Sequence, residues 1–340
     1  MTMKRIGPLE AFLKYGVPLI ISVGLCWLLF RDIDFAEMWR LIVTECNYWW
    51  IAAGMLLSIL SHIVRAMRWQ IQLRALGVNP PLFYIVLSIF GTYAVNLVFP
   101  RLGEFWRTGY IAKRQDASFA TVFGSMVADR LADTLTVLCL LLITFAVASG
   151  SLISYLSQHT ALYDSLREVA LSPWVWGLVA AGVLAVWLIL TMPTKNRGLL
   201  KLRSAVKGLW EGFAVVAHMP GRLRWLVLTI LLWGCYFFQL YLAFYAFGFT
   251  ADLIAKYGIV VPLVAFVLSS IAMGVPSNGG IGPWQWAVIF ALGIYGLDAE
   301  RAGAFANLVL GSNTLLIIAL GLFTFITIAL TKRRTNNVDK

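Results

Sequence analysis

The sequence predicts an all-α fold: a polytopic membrane helix bundle made of two inverted repeats, each with three spans and one re-entrant hairpin. Apolar runs close to the length of a bilayer span recur from end to end. Hydrophobic residues make up 60% and charged residues 13%, against roughly 45–50% and 25% in soluble domains. We expect one integral membrane domain over residues 1–340, with repeat halves at roughly 1–150 and 172–331 and a cytoplasmic tail at 332–340.

Each apolar run is expected to be a helix or part of one. The first run follows three basic residues and resembles a signal peptide, but no small-residue cleavage site follows it, so we interpret it as a retained span. The runs lie at about 15–30, 49–64, 82–99, 118–149, 174–192, 225–248, 258–275, 284–297 and 303–330.

The gaps between the apolar runs differ strongly in basic charge. Of the 27 Lys and Arg residues, 21 lie in five segments, five lie in four others, and Arg130 lies inside an apolar run. The positive-inside rule places the five basic segments in the cytoplasm. We therefore expect a multi-pass protein of the inner (cell) membrane with both termini cytoplasmic. The basic segments are 1–14, 65–81, 100–117, 193–224 and 332–340, and the poorly basic ones are 31–48, 150–173, 249–257 and 298–302.

Run 82–99 has a basic gap on both sides, which a single full crossing does not satisfy. A re-entrant hairpin at 82–114 does satisfy it, dipping in from the cytoplasm with its bend near Pro100–Gly103. Proline lacks the amide that would continue a helix, and glycine permits the tight backbone that follows. The alternative is a plain full crossing that breaks the charge rule.

The pair of runs from 258 to 297 has a poorly basic gap on both sides. We interpret it as a second hairpin that dips in from outside and bends at Pro276–Pro283 (PSNGGIGP). The second half of the chain then repeats the order of the first half upside down. Inverted repeats with discontinuous helices that meet near mid-membrane are typical of secondary transporters.

The first bend concentrates polar groups between two apolar runs. Asn96, Arg101, Glu104 and Arg107 lie within twelve residues, and hydrocarbon tolerates such groups only where protein or water covers them. Glu104 and Arg107 are three residues apart and could pair on a helix face, which would leave Arg101 free for a phosphate ligand. The alternative is a surface loop whose arginines touch lipid phosphates.

Three more ionisable residues lie inside the next apolar run. Asp129 and Asp133 are four residues apart and share a helix face, whereas Arg130 points away from them. We expect one of these acids to pair with Arg130 or Arg101, and all three to face one another, the hairpin tip or water. The alternative is a buried salt-bridge cluster that only fixes the register of the helices.

The second bend offers uncharged ligands. Asn278, Gly279 and Gly280 present amide groups, and a helix that begins near Pro283 would direct its N-terminal amides at the bend. Gln285 follows in its first turn, and we include it in the candidate site. The alternative is a tight turn filled with glycine.

Several function classes lack a signature in this sequence. The net charge of +11 lies in the gaps between apolar runs and does not indicate nucleic-acid binding. The four cysteines and three histidines have no metal-ligand spacing, and no phosphate-binding glycine loop or catalytic triad is present. We therefore expect no metal, no cofactor and no enzymatic activity.

The two stretches NLVFPRLGEFWR and FGSMVADRLADT together resemble the lysylphosphatidylglycerol synthase/flippase transmembrane family. Its first motif consists of Asn, Pro, Arg, Gly and Glu, followed about 25 residues later by an acid-Arg-x-x-Asp element, and a later motif reads Pro-x-x-Gly-Gly-hydrophobic-Gly. The matching residues are Asn96, Pro100, Arg101, Gly103, Glu104, Asp129, Arg130, Asp133, Pro276, Gly279, Gly280, Ile281 and Gly282.

Two departures limit what the resemblance implies. Many relatives have a proline and a glutamate where this chain has Asn278 and Gln285, and the missing carboxylate argues against proton or cation coupling there. The sequence ends soon after its last apolar run, so we expect no lipid-aminoacylating domain. The resemblance implies the flippase half of the family, which moves a lipid head group between leaflets.

Three functions follow from the sequence. The first is a lipid flippase or transporter that moves a polar, phosphate-bearing head group through a midplane cavity. The alternatives are a membrane-embedded transferase that uses Glu104 or an Asp as base, and a membrane subunit that recruits a separate soluble lipid-modifying enzyme through the basic segment 195–224. The expected partners are membrane lipids with anionic or zwitterionic head groups, and a homo-oligomer is the other candidate assembly.

Overall fold

A computed structural model of the chain describes residues 35–158, 171–191 and 219–338, together with the single positions 168 and 200. The described ranges are helical, with one short 3-10 turn at Phe244–Ala246, and they contain no strand. This confirms the all-α prediction. The first apolar run and most of segment 195–224 lie outside the described residues. The helices are α1 (Phe35–Glu45), α2 (Tyr48–Ala75), α3 (Leu82–Val98), α4 (Leu102–Arg114), α5 (Phe119–Gln158), α6 (Pro173–Thr191), α7 (Arg222–Ala243), α8 (Gly248–Tyr257), α9 (Val260–Ala272), α10 (Pro283–Ile294) and α11 (Ala299–Val338).

Four of the described helices are long and apolar enough to cross a bilayer. They are α2, α5 as far as Gly150, α7 with its 3-10 turn, and α11 as far as Thr331. Helices α8 and α9 together are also long and apolar enough, but they are bent by 110° at the break between them. Helix α6 covers residues 174–191 of the predicted run 174–192. The chain is therefore a multi-pass membrane helix bundle, as the sequence predicts.

Helices α2 and α7 form an antiparallel pair along their whole length. The amide of Asn47, at the start of α2, donates to the carbonyl of Ala246 at 2.7 Å, just past the end of α7. Further along, Gly54 faces the backbone of Gln239 so closely that a Cβ on the glycine would lie 3.2 Å from its carbonyl oxygen. The pair forms the frame against which both hairpins pack.

Helices α3 and α4 pack back to back, with a turn at 99–101 between them. A Cβ built on Gly91 would lie 2.3 Å from the Trp106 ring, and one built on Gly103 would lie 2.2 Å from the carbonyl oxygen of Thr92. Gly103 thus lets the backbone of α4 approach that of α3, and Gly91 leaves room for the Trp106 ring. The bend falls where Pro100 and Gly103 predict it.

The two helical hairpins, α3–α4 and α9–α10, open at opposite ends of the molecule. Loops 76–79 and 115–118 together line a surface cavity of about 400 Å³, so both ends of the first hairpin lie at one end. The rings of Tyr257 and Tyr295, at the ends of the second hairpin, are 5.1 Å apart. Helix α2 begins beside Ala246, which lies eleven residues before Tyr257 along the chain, and it runs to loop 76–79 at the other end. The inverted-repeat symmetry and the re-entrant depth of the hairpins stay predictions.

The sequence prediction ends the second apolar run too early. Helix α2 continues past residue 64 to Ala75, and its Arg65 and Arg68 are buried. The prediction treats both arginines as cytoplasmic loop charges because a hydropathy window ends at a charged side chain. In the structure Asp129 and Asp133 compensate both charges inside the protein, so these arginines give no information on membrane orientation.

Candidate functional site

The tips of the two hairpins touch. The Nη2 atom of Arg101, in the first bend, donates to the carbonyl of Gly274 at 2.8 Å and lies 3.5 Å from that of Met273. At a second contact, a Cβ built on Gly279 would lie 2.5 Å from Cδ2 of Leu97. Both predicted bends therefore belong to one place in the molecule.

A cavity of about 520 Å³ lies beside the touching tips, and we call it the central cavity. Both hairpins and the four long helices contribute to its wall. One part of the wall is apolar, with Leu97, Val137, Phe266 and Ile317 among its side chains. The charged side chains that line it are Arg65, Arg101, Glu104, Arg130 and Asp133.

Two carboxylates of α5 meet two arginines of α2 beside this cavity. Asp129 accepts from Nη2 of Arg68 at 2.6 Å and from Nη1 of Arg65 at 3.5 Å. Asp133 accepts from the same two side chains, at 2.7 Å from Arg68 and 3.0 Å from Arg65. All four side chains are buried. The predicted ion pair between Arg130 and one of the acids forms at 3.8 Å, with Asp133. The closer partners, Arg65 and Arg68, were not predicted.

Sequence reasoning therefore missed Arg65 and Arg68, although a signal was present. The two arginines are three residues apart and the two aspartates are four apart, so each pair occupies one face of its helix. Buried charges are kept in proteins only when paired. A search for a matching basic face among the neighbouring helices would have found them.

Glu104 connects the first hairpin to helix α5 through its side chain. Its Oε1 accepts from Nη2 of Arg130 at 3.1 Å, and its Oε2 accepts from Nδ2 of Asn96 at 3.2 Å. Asn96 also accepts from the amide of Gly103 at 2.8 Å, which fixes the start of α4. The predicted pair between Glu104 and Arg107 does not form.

Arg107 lies behind the cavity wall. It is fully buried, and its guanidinium carbon lies 4.4 Å from the centroid of the Trp69 ring. Among the described residues none of its three guanidinium nitrogens has a hydrogen-bond partner. Cation–π stacking is the contact that holds this charge.

The backbone at Arg101 is left-handed, with φ at 66° and ψ at 0°. This conformation costs a non-glycine residue about 1–2 kcal/mol. The residue is the N-cap of α4, and its side chain reaches across to the second hairpin. An arginine in a position that suits glycine indicates that the side chain itself matters there.

Two backbone amides of the second bend have hydrogen-bond acceptors within the bend and the first turn of α10. The amide of Ile281 donates to the carbonyl of Asn278 at 3.2 Å, and Oε1 of Gln285 accepts from the amide of Gly282 at 2.9 Å. Helix α10 begins at Pro283 as predicted. Gly279 and Gly280 line the central cavity, whereas Asn278 and Gln285 lie outside its wall. The buried Gln285 donates through Nε2 to Oδ1 of Asn307, which joins α10 to α11.

His62 is a cavity residue for which the sequence carried no signal. It is buried, its ring centroid lies 4.6 Å from that of Tyr93, and neither ring nitrogen has a partner among the described residues. No group of three potential metal-ligating side chains lies together in the described ranges. The expectation of no metal and no cofactor stays a prediction.

The fold and site define a class: an integral membrane helix bundle with a charged cavity between two opposed helical hairpins. Residues 17–321 match the family model of the lysylphosphatidylglycerol synthase transmembrane region, so the chain belongs to that family. A search of curated proteins finds no match. Membership supports a lipid-related function in the membrane, and it confirms the resemblance drawn from the motifs.

Proposed function

We propose that this protein is a lipid flippase or transporter of the inner membrane, in which a polar, phosphate-bearing head group crosses through the central cavity. The observation that carries the proposal is the position of Arg101 and Arg130. Both line a cavity bounded by the two hairpin tips and by spans of apolar sequence. Charged groups inside a membrane protein generally mark a substrate path.

The size and lining of the cavity suit one head group. Ligand pockets commonly have volumes of about 300–1,000 Å³, and the central cavity measures about 520 Å³. The charged wall would hold the head group, while the acyl chains remain in lipid. Arginine suits this task because its planar fork binds phosphate through two parallel hydrogen bonds and keeps its charge at any depth.

The contacts between the hairpin tips are suited to opening and closing. Arg101 is joined to the second hairpin by hydrogen bonds to backbone carbonyls alone, and Leu97 meets Gly279 without a polar contact. Separation of the tips would break few interactions. In our proposal one hairpin and its spans rock against the other, with the cavity as the fixed site.

The geometry gives less support to a membrane-embedded transferase. In that alternative Glu104 or Asp133 would act as base. Both carboxylates are held by arginines, Glu104 at 3.1 Å and Asp133 at 2.7 Å, so either would have to leave its arginine before it could take a proton from a substrate. Recruitment of a soluble enzyme through segment 195–224 stays a prediction, since most of that segment lies outside the described residues.

Leaflet exchange in reconstituted vesicles tests the proposal. Lipids labelled on an acyl chain, so that each head group stays native, are quenched from the outside in vesicles with and without the protein. We expect the protein to accelerate exchange of at least one lipid, and Arg130→Gln to slow it. Equal exchange with and without the protein, for every native lipid class, would rule the proposal out.

A further inference from the structure

The charges at the central cavity do not balance. Among the described residues, the cavity wall and its ion-pair partners contain four arginines (65, 68, 101 and 130) and three carboxylates (104, 129 and 133). Arg107 adds a fifth arginine behind the wall. We propose that the site selects a lipid head group of net negative charge, a phosphate diester or monoester without an ammonium group. This inference rests on the proposed function and narrows its substrate class.

The carboxylates are already occupied. Both oxygens of Asp129 and both oxygens of Asp133 accept from Arg65 or Arg68. Both oxygens of Glu104 accept as well, from Arg130 and Asn96. An ammonium group in the cavity would therefore have to displace an arginine or an asparagine from a carboxylate.

Two arginines, by contrast, keep donors for a ligand. The side chain of Arg130 is 35% exposed, and its Nη1 lies 3.8 Å from the nearer Asp133 oxygen, beyond hydrogen-bond distance. Arg101 is exposed, and the acceptors of its Nη2 are backbone carbonyls instead of a carboxylate. Its charge is thus the least compensated of those on the cavity wall.

The physical consequence is a preference between head groups. An uncompensated cation inside an apolar bundle is costly, and a phosphate between Arg101 and Arg130 would relieve that cost. A zwitterionic head group brings the same phosphate together with an ammonium group that these arginines repel. A cationic head group carries a second ammonium group, which the arginines also repel. Affinity is therefore expected to fall from anionic to zwitterionic to cationic lipids.

Binding by the purified full-length protein measures this order without requiring transport. Four lipids with identical acyl chains serve as probes: phosphatidylglycerol, phosphatidic acid, phosphatidylethanolamine and lysyl-phosphatidylglycerol. We expect the two anionic lipids to bind at least about tenfold more tightly than the other two. The comparison between the two anionic lipids separates a diester from a monoester. Equal or tighter binding of phosphatidylethanolamine or lysyl-phosphatidylglycerol, or binding of none of the four, overturns the inference.

Variants that change the charge of the cavity should change the ratio of anionic to zwitterionic lipid affinity, which residues with a purely structural role would not affect. Arg130→Gln should lower the ratio of anionic to zwitterionic affinity, and Glu104→Gln should raise it. Lys113→Gln removes one exposed positive charge at the end of α4, outside the cavity, and should leave the ratio unchanged. If Arg130→Gln and Glu104→Gln shift this affinity ratio in the same direction, the inference is contradicted. Leaflet exchange without charge preference would overturn the inference alone, whereas absence of all exchange would overturn the proposed function.

Discussion

At the scale of single residues, Asp129 is the carboxylate that matters most for compensating the buried arginine charges. It is fully buried and bonded to both Arg65 and Arg68. A buried ion pair adds little stability compared with apolar packing, yet the loss of one partner leaves an uncompensated charge. We therefore expect the network to favour the one register of α2 and α5 in which all four charges are paired.

Asp129→Asn should lower the free energy of unfolding by about 3–5 kcal/mol. The reason is that Arg68 loses the carboxylate at 2.6 Å and keeps its charge. Unfolding by titration with denaturing detergent, followed by tryptophan fluorescence, measures the change. As a matched control, Glu45→Gln removes a carboxylate from an exposed ion pair at 3.8 Å and should cost about 0.5 kcal/mol or less.

A second substitution tests the cause of that loss. Asp129→Asn combined with Arg68→Met leaves one acid, Asp133, facing one arginine, Arg65. We expect the double variant to recover at least half of the lost stability. If the losses of stability caused by Asp129→Asn and by Arg68→Met alone instead add in the double variant, the uncompensated charge is not the source of the destabilisation.

Two substitutions at Arg101 distinguish the effect of backbone strain from the effect of losing the side chain. Glycine adopts its left-handed conformation at no steric cost, whereas alanine does not. Arg101→Gly should therefore be about 1 kcal/mol more stable than Arg101→Ala, while both lose the charge at the cavity. The same unfolding titration measures the difference. Equal stability of the two variants would show that the φ of 66° imposes no strain.

The residue scale also shows what sequence could and could not reveal. Glu104, Arg101, Arg130 and Asp133 are singled out by their charge inside apolar sequence, and the structure brings them to one cavity. The closer partners of the two aspartates were not predicted, because pairing depends on which helix faces which. Arg68, which lies 61 positions from Asp129 along the chain, is one such partner.

At the scale of elements, the two hairpins are defined by their bends. Proline and glycine at 100 and 103, and the glycines from 279 to 282, mark both turns in the sequence because these residues have strong local preferences. The contact between the tips carries no local signal. It depends on Gly279, whose missing side chain makes room for Leu97.

Gly279→Ala should therefore destabilise the protein by about 1–3 kcal/mol. The added methyl group would meet Leu97 and would also occupy a left-handed backbone position, with φ at 64°. Leu97→Ala in the same chain should restore part of the loss, because it removes the clash and leaves only the strain. Unfolding titrations of the single and double variants give the coupling energy.

The control is Gly234→Ala, in the interior of α7, where a Cβ meets nothing within 4 Å. It should be neutral or stabilising by up to about 1 kcal/mol. A Gly279→Ala variant as stable as this control would mean that the tips do not touch in the membrane. The same holds if Leu97→Ala brings no recovery.

At the scale of the whole molecule, the hairpins open at opposite ends and their tips meet between them. The charge rule predicts re-entrant hairpins that enter the membrane from opposite sides, but it counts Arg65 and Arg68 as loop charges, and both are buried. The prediction of the first hairpin thus relied partly on misplaced charges. The geometric support comes from loops 76–79 and 115–118, which share one surface cavity.

Cysteine labelling of intact cells tests the membrane topology. In a cysteine-free background, Asn79→Cys and Asp116→Cys should react only from the cytoplasm, and Lys256→Cys and Asp298→Cys only from outside. All four positions are exposed and flank the hairpins. Labelling of positions 79 and 116 from opposite sides would support a plain full crossing and refute the hairpin.

The central claim is that the cavity between the hairpin tips carries a lipid head group from one leaflet to the other. The most direct measurement is the rate of leaflet exchange of acyl-labelled phosphatidylglycerol in reconstituted vesicles, compared among the unchanged protein, Arg101→Gly and Lys113→Gln. We predict equal rates for the unchanged protein and Lys113→Gln. We also predict a rate at least about tenfold lower for a folded Arg101→Gly. Equal rates for all three proteins, or no acceleration by the unchanged protein, would contradict the claim.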